Sequence, residues 1–382
     1  MIIGQFCDVF PPELDGVGTV VKNYARYLCE GGDLAYFIAP RQEDPVGERP
    51  FPLLLFRGFR LPGEPYRVGM PSLDLDFRRT VNGMQFDVVH AHSPFGAGHA
   101  ARRVARRQGI PLVATFHSKY YDDFLAKTHS EALARLATRY VVSFYNTCDE
   151  VWAVNDATAE VLRSYGYGGR MRVMPNGTDP WIPAGTADEV IARCFPQGEG
   201  PLFMFCGQHH WKKNIKTVLE AVALYAKSAP CRLLMVGQGP DRDAIVQKAE
   251  ELGISSFTHF YGHTANREEL MQLYAAADLF LFPSLYDNAP MVVREAAAAG
   301  TPSVLVRASC AAEGTEDGVN AFHCEDSPES LAAVMAATLP HVREVGERAR
   351  TDIPKAWPDI IAAARTRYCE LIEEKKSAKK EK

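Results

Sequence analysis

The strongest constraint in this chain is a rhythm that runs twice. Short apolar, β-branched stretches alternate with longer amphipathic ones, stop at a Pro/Gly-rich segment, and start again. In the first half IIGQFCDVF, LAYFIAP, DVVHAHS, PLVATFH, EVWAVN and MRVMPN read as strands. VGTVVKNYARYLCEGG, GAGHAARRVARRQG and residues 121–147 read as helices between them. Strand–helix alternation of this kind builds a parallel sheet covered on both faces. The segment NGTDPWIPAGT, residues 176–186, reads as a linker. Beyond it PLFMFCG, CRLLMVGQG, FTHFYGH, LFLFPS and TPSVLV are strand candidates, separated by NIKTVLEAVALYAKS, DRDAIVQKAEELG, REELMQLYAAA and MVVREAAAAG as helices. The chain has 382 residues, too many for one average core, so two doubly wound α/β domains are expected. Such sheets bind ligands beyond the carboxyl ends of their strands, and two of them face to face leave a cleft. The final stretch, WPDIIAAARTRYCELIEEKKSAKKEK, reads as an amphipathic helix that frays into a solvated, disordered lysine tail.

Bulk properties narrow the class. A net charge of −5 argues against a general nucleic-acid binder. Nine cysteines are scattered with no C-x-x-C pair, which fits a reducing cytosol better than a disulfide framework or a zinc ribbon. The amino terminus lacks the basic and long apolar regions of a signal peptide and reads as a strand. No run approaches the roughly 18 apolar residues of a membrane span, so a membrane role is expected to be peripheral.

Several motifs have both a structural and a chemical reading. Gly16 and Gly18 sit where a loop becomes a helix; bare N–H groups and a helix dipole there suit an anion, while a tight turn with positive φ is the plain alternative. VGQGPDRDA places Gly237 and Gly239 after a strand, but Arg242 occupies the third glycine position of a dinucleotide fingerprint. There is no P-loop motif and no H-E-x-x-H, and neither the histidines nor the carboxylates have metal-ligand spacing, so no metal or other cofactor is expected. His90, His92 and His117 fall at strand ends, where α/β proteins bind ligands. Lys212 and Lys213 stand at a strand–helix junction, placed to neutralise a phosphate or simply to face water. In SLYDNAPMVVREAAAAGTP, Asp287 and Glu295 are either a helix cap and a solvated helix residue, or two acids of one site.

Taken in order, these motifs resemble the retaining glycosyltransferases of family four, and the resemblance spans essentially the whole chain. FPPELDGVGT is similar to the family's glycine loop, FDVVHAHSPFGAGHAARRVARRQGIPLVATFH to its acceptor-domain core and VMPNGTD to its inter-domain signature. CGQHHWKKN stands where the family has G-R-x-x-x-x-K, and YAAADLFLFPSLYDNAPMVVREAAAAGTP where it has E-x7-E. The resemblance implies a GT-B architecture: two facing doubly wound parallel-sheet, Rossmann-like domains with a C-terminal helix crossing back. Residues 1–180 would bind the acceptor and 181–355 the nucleotide sugar. Residues 356–374 would pack back on the first domain, leaving 375–382 as the basic tail.

The resemblance also implies roles. Glu295 would hold the donor ribose, Asp287 face the donor sugar, and Lys213 contact the diphosphate. Gly16 and Gly18 would approach the same phosphates, with His117 near the reacting carbon. Three positions depart from the pattern. Asp287 stands for glutamate, Gln208 for the usual arginine, and Pro290 for a glycine, which removes one N–H but leaves those of Asn288, Ala289 and Met291. The implied reaction is a metal-independent transfer with retention, in which preorganised cations and N–H groups stabilise the departing diphosphate. Residues 57–107 carry nine arginines against four acids, and Arg102, Arg103, Arg106 and Arg107 share a helix face. That face suits either water or anionic lipid headgroups. RGFRLPGEPYRVGMPS resembles the corresponding loop of diacylglycerol glucosyltransferases. The expectation is a cytoplasmic, peripherally membrane-bound enzyme moving glucose from UDP-glucose to a glycolipid precursor. The alternatives are a cell-wall, exopolysaccharide or soluble sugar acceptor, a GT-B epimerase or hydrolase, and a non-catalytic binder of sugar nucleotides.

Overall fold

The computed structural model describes residues 1–10, 16–41, 49–60, 67–179, 181, 187–195, 198–264 and 266–380. The chain forms two compact units, Met1–Gly177 with Trp357–Lys382, and Thr178–Ala356.

The first unit is built on β1 (Ile2–Phe6), β2 (Leu34–Pro40), β3 (Leu53–Phe56), a hairpin of β4 (Gly58–Arg60) and β5 (Arg67–Gly69), then β6 (Val88–Ala91), β7 (Leu112–Phe116), β8 (Glu150–Ala153) and β9 (Met171–Val173). Seven of these strands make one sheet in the order β3-β2-β1-β6-β7-β8-β9, with every pairing parallel. Every residue of β6, β7 and β8 is buried, as strands sandwiched between helices must be. The helices are α1 (Gly16–Glu30), α2 (Leu75–Gly83), α3 (Gly96–Gln108), α4 (Tyr120–Thr128), α5 (Glu131–Tyr145) and α6 (Asp156–Ser164). The strand order reverses between β1 and β6. That is the switch point where an open α/β sheet leaves a crevice at its carboxyl edge.

Three expectations for this unit are corrected. Residues 121–147 are two helices, because His129 turns left-handed (φ 50°) and the Ser130 side chain accepts from Leu133 N to start α5. The strand β3 and the hairpin were not anticipated; their short runs lie in an Arg/Pro-rich stretch, of which residues 61–66 lie outside the described ones. The lysine tail is helical as far as Lys380. Its composition favours helix, its lysines suit the negative end of the dipole, Lys375 pairs with Asp149 and Lys376 with Glu373. Residues 381–382 of that tail lie outside the described ones.

The terminal helix, Trp357–Lys380, is part of this unit's core. Trp357, Ile360, Ile361, Ala364, Tyr368 and Leu371 are buried along one face, and Tyr368 stacks on Trp152 at 5.2 Å. Its Arg367, only 6 % exposed, bonds Glu150 through Nε and Nη2 (2.7 Å for the shortest contact). Arg365 holds Asp33 at 2.7 Å.

The second unit contains β10 (Leu202–Cys206), β11 (Arg232–Val236), β12 (Thr258–Gly262), β13 (Leu279–Phe282), β14 (Ser303–Val306) and β15 (Phe322–Cys324), all parallel, in the order β12-β11-β10-β13-β14-β15. Its helices are α7 (Ala187–Cys194), α8 (Ile215–Ala226), α9 (Arg242–Glu251), α10 (Arg267–Ala276), α11 (Met291–Ala299), α12 (Pro328–Thr338) and α13 (Val342–Asp352). Here the switch lies between β10 and β13. Gly237 shows why a glycine follows β11: its φ is 132°, and a Cβ would stand 1.9 Å from the Gly207 carbonyl oxygen. The glycines of VGQG therefore serve close approach of two strand ends. Of the expected linker, residues 180 and 182–186 lie outside the described ones.

Candidate active site

In the second unit the chemistry collects at the switch point. After β10 the chain passes Gly207 and Gln208 into a 3₁₀ turn, Trp211–Lys213, and Asn214 ends that turn in a left-handed conformation (φ 59°). Asn214 fixes the turn to the exit of β13. Its Nδ2 donates to the Pro283 carbonyl at 3.1 Å, and its Oδ1 accepts from Thr217 at 2.8 Å. Asp241 holds the other flank, accepting from Trp211 N at 2.8 Å and pairing with His210 at 2.6 Å. The turn thus delivers Lys213 Nζ to Asp287 Oδ1 at 2.5 Å, while Asp287 Oδ2 accepts from the Ser284 hydroxyl at 2.6 Å. The ring of Tyr286 lies under both lysines, 4.2 Å from Lys212 Nζ and 5.1 Å from Lys213 Nζ.

The capping role open to Asp287 is not the one it takes. Pro290 occupies the N-cap of α11 without a side-chain bond, and Met291 is the first helical residue. The first-turn N–H groups of α11 therefore remain a positive terminus at this strand end. Asn288 is buried, and Ala289 and Met291 are half-buried beside it. Gln208 is half-buried and brings no charge. Glu295 is not a solvated helix residue: it is 7 % exposed, paired with Arg267 of α10, and approached by the Tyr274 hydroxyl at 3.4 Å. Burial opposes the charge on Arg267, but the Glu295 carboxylate more than offsets it and holds the guanidinium above its ordinary range.

In the first unit the edge of β1 and β6 carries a buried polar cluster. Asp8 follows β1; its Oδ2 accepts from Ser93 at 2.6 Å and its Oδ1 from Ala97 N at 2.9 Å, at the start of α3. Burial pushes its carboxyl up to about 6, against the lowering effect of those two bonds. His117, at the end of β7, shares a 3.1 Å contact between its Nε2 and His92 Nδ1. His92 Nε2 meets Gln5 Oε1 at 2.7 Å; His90 meets Tyr368 Oη at 2.6 Å through Nδ1 and Thr115 Oγ1 at 2.7 Å through Nε2. Burial depresses all three imidazoles, His117 to about 3, so they are neutral. Gly16 and Gly18 open α1, and neither has a positive φ. A Cβ on Gly16 would meet nothing within 4 Å, so the space at this helix start is open. The rest of the glycine loop, residues 11–15, lies outside the described ones.

On α3, Arg103, Arg106 and Arg107 are exposed and Arg102 is half-buried. The adjacent α5 is joined to it by His99 and Tyr140 at 2.6 Å, and it exposes Leu133 (53 %), Leu136 (64 %) and Tyr140 (53 %) beside Arg135 and Arg139. The arginine face anticipated on α3 thus continues into an apolar stripe.

Sequence reading brought Lys213 and Asp287 forward, and the structure joins them. It missed Asp8, Ser284, Tyr286, Arg267, Gln5 and Tyr368. The first three carried a signal, since each follows a strand at the ligand edge. Arg267, Gln5 and Tyr368 carried none, because their partners are 28 to 363 positions away in the chain.

Two family models match in tandem: glycosyltransferase family 4 over residues 14–181, and glycosyl transferases group 1 over residues 188–348. An alpha-monoglucosyldiacylglycerol synthase of Acholeplasma laidlawii is 23% identical, across 90% of this chain and 94% of its own. A GDP-mannose-dependent alpha-mannosyltransferase of Corynebacterium glutamicum is 24% identical, across 97% and 89%. The sucrose-phosphate synthase structure from Thermosynechococcus elongatus superimposes with a TM-score of 0.84 at 17% identity, covering 98% of this chain and 100% of that one.

Proposed function

The chain belongs to the family-four glycosyltransferases of GT-B fold, and from that premise we propose that it moves glucose from UDP-glucose to a membrane glycolipid precursor such as diacylglycerol, with retention and without a metal. The observation that carries the reading is the meeting of Lys213 and Asp287 at the switch point of the second sheet, beside the uncapped start of α11.

The hard step is departure of the diphosphate from an oxocarbenium-like carbon. As the C1–O bond to the β-phosphate breaks, its electron pair and negative charge pass to the leaving group. Lys213 and the first-turn N–H groups of α11 stabilise that charge without having to reorganise. The acceptor hydroxyl forms the new C1–O bond from the same face, and its proton passes to the departing phosphate oxygen. The products are the glycoside and UDP, and no protein nucleophile is required. Asp287 has two tasks: it holds Lys213 before the donor arrives, and it then faces the sugar hydroxyls. Glu295 takes the ribose hydroxyls, Gly16 and Gly18 leave room for phosphate, and His117 positions the transferred sugar.

Two observations support a lipid acceptor: the name of the Acholeplasma relative, and the arginines of α3 running into the leucine stripe of α5. Cations with an adjacent apolar ridge suit an anionic bilayer surface. The test is labelled UDP-glucose with diacylglycerol in anionic vesicles, with and without EDTA. The expected product is an α-glucosyl lipid, formed equally in both. Turnover abolished by EDTA would remove the metal-free mechanism. Transfer only from GDP-mannose, or only to soluble sugars, would replace the donor or the acceptor.

A further inference from the structure

The two loops that carry Lys213 and Asp287 close into a ring. Lys213 Nζ meets Asp287 Oδ1 at 2.5 Å, and Asp287 Oδ2 accepts from the Ser284 hydroxyl at 2.6 Å. Ser284 follows Pro283, whose carbonyl accepts from Asn214 Nδ2 at 3.1 Å, and Asn214 follows Lys213 in the chain. The circuit thus returns to its start through the ion pair, two hydrogen bonds and two peptide links. The two hydrogen bonds are anchored from behind. The Asn214 amide has a second proton, which goes to Asp326 Oδ1 at 2.8 Å, and its oxygen accepts from Thr217 at 2.8 Å. Ser284 is fully buried, and its oxygen takes the Asp287 N–H at 3.4 Å. The ion pair is the looser link. Both side chains retain some exposure, 13 % for Lys213 and 17 % for Asp287. Bonds at Oδ2 and at the N–H fix a side chain as short as aspartate, whereas the four-carbon stem of lysine lets Nζ swing. The ring is therefore built to open at Lys213.

We propose that Ser284 is a positioning residue that holds Asp287 still while Lys213 exchanges its bond to that acid for one to a diphosphate oxygen. This rests on the reading of Lys213 as the diphosphate contact and of Asp287 as the acid that faces the sugar. Oδ1, given up by the lysine, then stays in place as the acceptor for a sugar hydroxyl. The exchange also makes Asp287 a competitor of the donor for Lys213. The same carboxylate weakens diphosphate binding and orients the sugar.

The test combines a crystal structure of the full chain with UDP, calorimetry of UDP binding, and turnover of UDP-glucose. In the bound structure Lys213 is expected on a phosphate oxygen, with Ser284 still on Asp287 Oδ2. Asp287→Ala frees the lysine, so UDP should bind about fivefold more tightly, the scale of one partly exposed ion pair, while turnover falls. Ser284→Ala should leave UDP affinity unchanged and lower kcat about tenfold, the scale of one lost bond to a charged group. Ser284→Cys, of nearly the same size but a weak donor, should fall between, and it serves if the alanine variant does not fold. In an Asp287→Ala background Ser284→Ala should lower kcat no further, because it acts through the acid. Lys213 still on Asp287 in the bound structure, Asp287 turned away from Ser284, or UDP affinity unimproved in Asp287→Ala overturns the proposal. So does Ser284→Ala weakening UDP as much as it lowers kcat, which is what a merely structural serine would do. Wild-type turnover in Asp287→Ala would remove the sugar-facing reading alone, because the exchange is read from UDP binding and the bound structure. Turnover of GDP-mannose in place of UDP-glucose would replace the donor, and the same ratios measured with GDP then decide the proposal.

Discussion

Asp287 and Lys213 form an ion pair, and in the proposed mechanism its partners would re-form around a phosphosugar. Lys213→Ala is expected to lower kcat/KM by about 10²–10³, the cost of one preorganised donor to a developing oxyanion, with donor affinity less affected. A variant within threefold of wild type would remove Lys213 from the mechanism. Glu295→Ala should act on donor binding instead. Losing charge-assisted bonds of about 1.5–3 kcal/mol raises donor KM by roughly 10- to 100-fold, measurable by initial rates or by calorimetry with UDP. In the proposed mechanism the difference follows from placement: Lys213 would meet charge that grows in the transition state, whereas the ribose hydroxyls would not change. The acids were legible as a spaced pair behind a buried strand. What the spacing does not encode is that each already has a cation, Lys213 on one and Arg267 on the other.

Among the elements, legibility follows the range of the forces that decide them. The long buried strands and the helices α1, α3, α8 and α11 come from local periodicity, and the sequence shows them plainly. The break at His129 turns on one left-handed residue and a serine cap, and a continuous amphipathic pattern conceals it. The terminal helix is the converse case. Its apolar face was visible, but its extent is set by distant partners: Asp33, Asp149 and Glu150. Arg367→Ala leaves Glu150 buried without its main partner. We expect a loss of about 3–5 kcal/mol, read from urea unfolding at constant slope. The stripe of α5 answers to a different assay. Leu133→Ser with Leu136→Ser should abolish flotation with anionic vesicles at low salt while leaving the melting temperature within a few degrees, because both side chains already face water. Retained flotation would remove this stripe as the proposed lipid-binding surface.

For the whole molecule the buried imidazoles set an acid limit. His90, His92 and His117 have folded-state values below the ordinary 6.5, so below that pH the unfolded chain binds more protons than the native one. Stability therefore rises with pH up to about 6.5 and is lost as pH falls, by as much as about 1.4 kcal/mol per pH unit for each ring. Asp8, raised to about 6, works in the opposite sense between its usual 3.8 and 6 and offsets one of the three. Melting temperature against pH should fall steeply below 6.5, and His90→Gln should flatten the curve. An unchanged slope would mean that His90 is protonated in the native state. The doubled rhythm predicted two α/β halves, the family resemblance implied that residues 356–374 pack back on the first, and the helix that does so runs over Trp357–Lys380.

That discontinuity has a consequence for birth on the ribosome. Residues 178–356 emerge as one uninterrupted block and can fold while synthesis continues. The earlier half must wait: Glu150 lacks Arg367 and His90 lacks Tyr368 until residues 357–380 have left the exit tunnel. A stalled or prematurely terminated product would hold a finished second half and an unfinished first. Translation itself thus decides when the contacts of His90 can first be completed.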